Sequence, residues 1–161
     1  MQKLLLAVIA CSFAFVNAEA NAQEADPFLT ALSQRHGTAT LEELDKIAGS
    51  REAMVTRLLE LRRLERPPFV GIRAEKLLLQ LADRADVQEA LADDLQSPKY
   101  LGLARIVVVH IDNVPNSAAR SRLARSALDR VAREPNFQSY ARTLLQSSDP
   151  EVSRLARQAL E

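Results

Sequence analysis

Two stretches of this chain repeat one another, and that repetition limits its fold more than any other feature. In the first, Val87, Leu91 and Leu95-Gln96-Ser97-Pro98 lead to Leu103-Ala104-Arg105 and Val107-Val108. In the second, Phe137, Ala141 and Leu145-Gln146-Ser147, then Asp149-Pro150, lead to Leu155-Ala156-Arg157 and Ala159-Leu160. Spacings agree on both sides of the turn, which is two residues longer in the second copy. A fainter copy turns at Pro68, with Val70, Ala74, Leu77 and Leu78 in register. A proline after a Ser or Asp cap marks a first helical position, where its missing N–H costs nothing.

Helix periodicity fills the sequence around these turns. Thr40-Leu41-Glu42-Glu43 is a capping-box pattern, opening a short helix that Gly49 ends. Ser50 caps a longer helix whose apolar face is Val55, Leu58, Leu61 and Leu64. Pro67-Pro68 breaks it and starts another, with Val70, Ala74, Leu77, Leu78 and Leu81 facing inward. Further helices are predicted at 86–95, 99–111, 117–133, 136–146 and 150–160. The last two place apolar residues at i, i+3, i+4, i+7 and i+8, the core-facing stripe of an amphipathic helix. Ile106 to Val109 is β-branched throughout and would read alone as a buried strand. It has no strand to pair with, so a helix buried on most sides is predicted. The expected class is all-α, a short α-solenoid of helical hairpins, because a helix–turn–helix unit buries its stripe by stacking on its neighbours. The copies are unevenly spaced, 30 residues from Pro68 to Pro98 and 52 from Pro98 to Pro150. The helix at 117–133 is an insertion in a simple repeat scheme, so an irregular helical bundle is the competing reading.

Ser148-Asp149-Pro150-Glu151-Val152-Ser153-Arg154-Leu155-Ala156-Arg157-Gln158-Ala159-Leu160 resembles the second helix of a HEAT-like repeat. In that motif Asp-Pro caps the helix, Val, Leu, Ala, Ala and Leu fill the core, and an Arg follows the Val. Here Arg154 comes two residues after Val152 rather than one. The resemblance covers residues 51–160 at most. It implies stacked hairpins and a protein-docking role.

Three segments are expected: a secretory signal peptide at 1–22, an N-terminal extension with short helices at 23–50, and the HEAT-like repeat domain at 51–161. Lys3 gives a basic start, Leu4 to Val16 is free of charge, and Val16-Asn17-Ala18 and Ala20-Asn21-Ala22 offer cleavage sites. Cleavage is expected after Ala22, with Ala18 second. The apolar run spans about 20 Å as a helix, too short for a bilayer core of about 30 Å. Cys11 is the sole cysteine, so the mature chain would have no thiol and no disulfide. Val8-Ile9-Ala10-Cys11 loosely resembles a lipoprotein box, and a lipid anchor through Cys11 is the lesser alternative to a soluble periplasmic or secreted product. Lys3 and Glu19 leave with the leader, so the balance of 21 basic and 21 acidic residues stays neutral. Neutrality argues against a nucleic-acid or acidic-membrane partner, which needs a clustered positive field.

Little in the sequence suggests catalysis. His36 and His110 lack a metal-ligand partner at helical spacing, and each suits a last helical turn, where the macrodipole favours a cation. A half-buried neutral imidazole is the other reading of His110. Glu89 and Asp93 share a helix face but fit a solvated surface, and no phosphate loop or nucleophile elbow occurs. No cofactor and no metal are expected. Tyr100 and Tyr140 fall at core registers, so base stacking lacks aromatics. The arginines remain: residues 101–161 hold nine, against six acids. Arg73, Arg105, Arg154 and Arg157 fall on the second helices of the hairpins and are candidates for one groove that takes a protein or peptide partner, acidic in character. Intrahelical pairing, as between Asp129 and Arg133, is the plainer use of such residues. The function expected is therefore a non-enzymatic exported binding or scaffold module. The alternative is a cell-envelope hydrolase or lyase that uses an isolated carboxylate such as Glu75. N-terminal sequencing of the exported protein should give a start near Gln23; a blocked, lipidated Cys11 would overturn the soluble product.

Overall fold

A computed structural model describes residues 26–161 apart from 35, 36, 38, 65, 66 and 98–100. The expected leader with its expected cleavage sites, Cys11, His36, Pro98 and Tyr100 lie outside the described residues. Those described form nine α-helices and contain no strand. They are α1 (Pro27–Ser33), α2 (Leu41–Ala48), α3 (Arg51–Leu61), α4 (Pro68–Leu79), α5 (Ala85–Gln96), α6 (Leu101–His110), α7 (Ser117–Val131), α8 (Gln138–Thr143) and α9 (Pro150–Leu160). The all-α expectation holds, and Ile106–Val109 is helical within α6.

The helices begin where the sequence supplies acceptors for their free N–H groups. Asp26 accepts from the amides of Phe28 and Leu29 ahead of α1. Thr40 and Glu43 form the full capping box of α2, and Ser50 Oγ accepts from Ala53 N at the head of α3. Gly49 ends α2 at φ +81°, a left-handed conformation that a side chain would strain. Asn116 and Asp149 cap α7 and α9 in the same way.

Two expectations about local structure fail. The helix expected to reach Leu64 ends at Leu61 and turns, so Leu64 leaves the apolar stripe and is exposed. The helix expected at 136–146 is broken into a 3-10 turn, the short α8 and a second 3-10 turn. Thr143 Oγ1 donates to the Tyr140 carbonyl at 2.7 Å, the back-bonding that bends a helix at Ser or Thr.

Packing arranges the helices in two rows. α1 lies against α4, α4 against α6 and α6 against α8. In the other row α2 lies against α3, α3 against α5, α5 against α7 and α7 against α9. Successive helices α1/α2, α3/α4, α5/α6 and α7/α8 touch across the rows. α7 is no insertion in this arrangement, since it packs on α5, α6, α8 and α9. One continuous core runs between the rows, from Phe28 and Leu32 of α1 through Leu58, Leu78, Leu91, Val107 and Leu123 to Val152 of α9. The short helices of the 23–50 segment contribute to that same core.

α4 crosses the end of α3 at backbone contact. A Cβ on the buried Gly71 would lie 3.0 Å from the Arg62 carbonyl oxygen and 3.2 Å from that of Leu64. Gly71→Ala is expected to lower stability by about 1–3 kcal/mol in urea denaturation, as overpacking does. Gly102→Ala is the control: nothing lies within 4 Å of its Cβ, and helix propensity should make that change neutral or stabilising. Equal effects of the two changes would refute the close crossing.

Candidate functional site

α4 is flanked by α1 and α6 and backed by α3, while α6 is flanked by α4 and α8 and backed by α5 and α7. The one open side of either helix faces away from the other row. Side chains that remain exposed on α4 and α6 therefore share an outer face. Phe69 and Ile72 are there on α4, 43% and 39% exposed, and Val109 on α6, 51% exposed. Exposed apolar residues are common singly, and these three stand on two adjoining helices. The half-buried Lys76 stands near enough to His110 at the end of α6 to affect its protonation.

The four arginine candidates do not converge. Arg73 and Arg105 belong to the adjoining α4 and α6, whereas Arg154 and Arg157 belong to α9, which packs on α7 and α8 in the other row. The expected single groove of second helices is therefore divided. Arg73 donates to the carbonyls of Leu32 and, at 2.7 Å, Gln34, closing the free end of α1, and its guanidinium lies over the Phe69 ring. Arg105 is exposed and lies 5.6 Å from the centre of the Tyr140 ring. Arg154 binds Glu151 and Gln158 within its own helix. Arg157 reaches Ser153 Oγ at 3.3 Å. The pair expected between Asp129 and Arg133 is absent among the described residues, because α7 stops at Val131 and leaves Arg133 in the turn.

A buried charged junction lies where α3, α4 and α5 meet. Arg62 Nε donates to Asp94 Oδ2 at 2.6 Å, and Arg63 Nη2 to Asp94 Oδ1 at 2.7 Å. Arg62 also donates to the Leu59 carbonyl. Glu75 of α4 is only 8% exposed, and its carboxyl is pushed up to about 7. Burial is the main cause; the negative Asp94 adds to it and Arg62 opposes it. Arg62 is already committed to Asp94, so Glu75 is the acid left without a matched cation. Sequence reasoning found Glu75 but missed Arg62 and Asp94, which meet across 32 positions with no local spacing to announce them.

A second junction joins α7 and α9. Asp149 receives Ser117 Oγ at 3.1 Å and Arg120 Nη1 at 3.2 Å, besides capping α9. Burial alone would raise its carboxyl; the bonds from Val152, Ser117 and Glu151 and the charge of Arg120 hold it below the usual range. His110 is half-buried, and burial, then the positive Lys76, holds its imidazole below its ordinary value. This opposes the cationic role expected at a helix end and agrees with the neutral one. Two grooves, about 270 Å³ along α7 and α9 and about 240 Å³ beside Asp26 and Ile47, fall under the range of roughly 300–1,000 Å³ usual for small-molecule sites. Neither is lined by Glu75. Among the described residues no three His, Cys, Asp or Glu side chains gather to hold a metal, and no helix is long and apolar enough to cross a membrane. No protein-family model, no curated protein and no solved structure matches the chain.

Glu75 makes stability depend on pH in a stated direction. Its carboxyl titrates higher in the folded chain than in the unfolded one, so the folded state binds the proton more tightly. Stability from this group is full below the ordinary value of 4.5, falls as pH rises and is lost by about 7. The whole effect is at most about 3 kcal/mol. Glu75→Gln should flatten the slope between about pH 5 and pH 8, and be the more stable form at pH 8 by about 1–3 kcal/mol. Denaturation curves that keep the wild-type slope in this variant would remove Glu75 as its source. Asp26 and Asp149, both held low, act in the opposite window and lose stability in acid.

Proposed function

We propose that this chain is an exported, non-enzymatic helical-repeat module that docks a protein or peptide on the outer face of α4 and α6. The observation that carries the reading is the exposure of Phe69, Ile72 and Val109 on two adjoining helices that pack on α1, α3, α5, α7 and α8. The HEAT-like motif at 148–160 and the two rows of helices support the solenoid reading, and solenoids present such rows as extended binding surface. Export rests on the basic start, apolar run and small residues of positions 1–22.

A second reading has one observation in its favour. A carboxyl near 7 suits a general acid or base, and Glu75 would be that group in a hydrolase or lyase. Yet Glu75 is buried, only 8% exposed, beside Asp94 and Arg62. The docking face is the better supported site.

Serine at Phe69, Ile72 and Val109 should leave the circular dichroism unchanged, because all three side chains are exposed. Affinity for a partner captured from the envelope fraction should fall about thirtyfold or more, the loss typical of removing interface anchors. Unchanged capture by the triple variant would reject this face.

A further inference from the structure

The two rows differ in charge, and the difference identifies the kind of partner the outer face accepts. α1, α4, α6 and α8 carry one acidic residue in all, Glu75, and it is buried. The same four helices carry Arg73, Lys76, Arg105 and Arg142. Every helix of the other row carries at least one acid, and α5 alone holds Asp86, Glu89, Asp93 and Asp94 with no base. A chain with no net charge thus presents four described α-helices whose charges outside the core are all cations, and Asp112, in the 3-10 turn after α6, is an exposed acid next to them. Lys76 and Arg105 make no ion pair with a described residue, and among the described residues Arg105 lies over the Tyr140 ring.

We infer that the outer face of α4 and α6 binds an acidic amphipathic segment, whose apolar side chains cover Phe69, Ile72 and Val109 and whose carboxylates reach Lys76 and Arg105. The inference rests on the docking reading above and adds the chemistry of the occupant. Two adjoining helices offer the width over which an amphipathic helix lays its apolar stripe. Arginine and lysine at the margin of such a patch select the sign of the incoming charge more than they add to affinity. An anionic membrane is the less suitable occupant. Electrostatic recruitment to lipid takes clusters of four to eight cations, whereas Lys76, Arg105 and Arg142 lie on three separate helices and the Arg73 guanidinium is held by the end of α1.

The test is selection of a random-peptide phage library on the full chain, with recovered peptides titrated against variants and against phosphatidylglycerol vesicles. The expected peptides combine leucine-like residues at helical spacing with glutamate or aspartate. They should bind about tenfold more weakly to Lys76→Glu/Arg105→Glu, and binding should weaken as salt is raised. Arg105→Glu alone, at an exposed position, should show part of the loss and guards against misfolding of the double variant. Peptides that are neutral or basic, are unaffected by the charge reversals, and yet are lost on Phe69→Ser would overturn the acidic occupant and leave docking intact. Peptides indifferent to Phe69→Ser, Ile72→Ser and Val109→Ser would overturn both. Tighter binding to the vesicles than to any peptide would replace the occupant with a lipid surface.

Discussion

At the meeting of α3, α4 and α5, Arg62 and Asp94 pair in a place that water barely reaches. Removing Asp94 would leave the buried Arg62 without its counter-ion, a loss of about 3–5 kcal/mol, whereas Asp94 without Arg62 would still have Arg63. Arg62 also gives a proton donor to its own helix at Leu59 and lends its carbonyl to the close contact under Gly71. One residue thus binds the end of α3 to α5 by charge and to α4 by shape. The seating of α4 on the end of α3 follows from that anchorage.

Burial of Glu75 beside this pair has a cost that the fold accepts. The carboxyl keeps its proton up to about pH 7, as a buried acid without a matched base does. The second junction solves a similar problem differently. Asp149 is also buried, but two backbone amides, a serine hydroxyl and Arg120 surround it, and it stays ionised. Two buried acids differ in protonation because one has donors pointed at it and the other does not.

What was legible in the sequence was local. Caps at Thr40, Ser50 and Asp149, the stop at Gly49 and the stripes of α4 and α9 all depend on residues within a turn or two of each other. The helical state of Ile106–Val109 followed from the lack of any strand to pair with. Failures came where partners are distant. Arg62 and Asp94 lie 32 positions apart, and Arg120 and Asp149 lie 29 apart, so neither junction has a periodic signature. Assigning α9 to the line of α4 and α6 followed the similarity of the motifs, but packing put it beside α7. That displacement separated the arginine candidates. Of the proposed site, Arg73 and Arg105 were found on adjoining helices, while the exposed apolar residues Phe69, Ile72 and Val109 were missed, since periodicity reports which residues face the core and is silent on those that do not.

Arg73 stands between two structures that seem unrelated. Its guanidinium holds the carbonyl end of α1 and also lies over Phe69 on the outer face. A ligand on that face which draws the guanidinium toward itself must take it from α1, and an α1 that is firmly seated must make that ligand bind less well. Linkage requires the two effects to be equal in free energy. Under the docking proposal, a ligand that engaged Arg73 would make occupancy of the outer face and the seating of the first helix one coupled equilibrium.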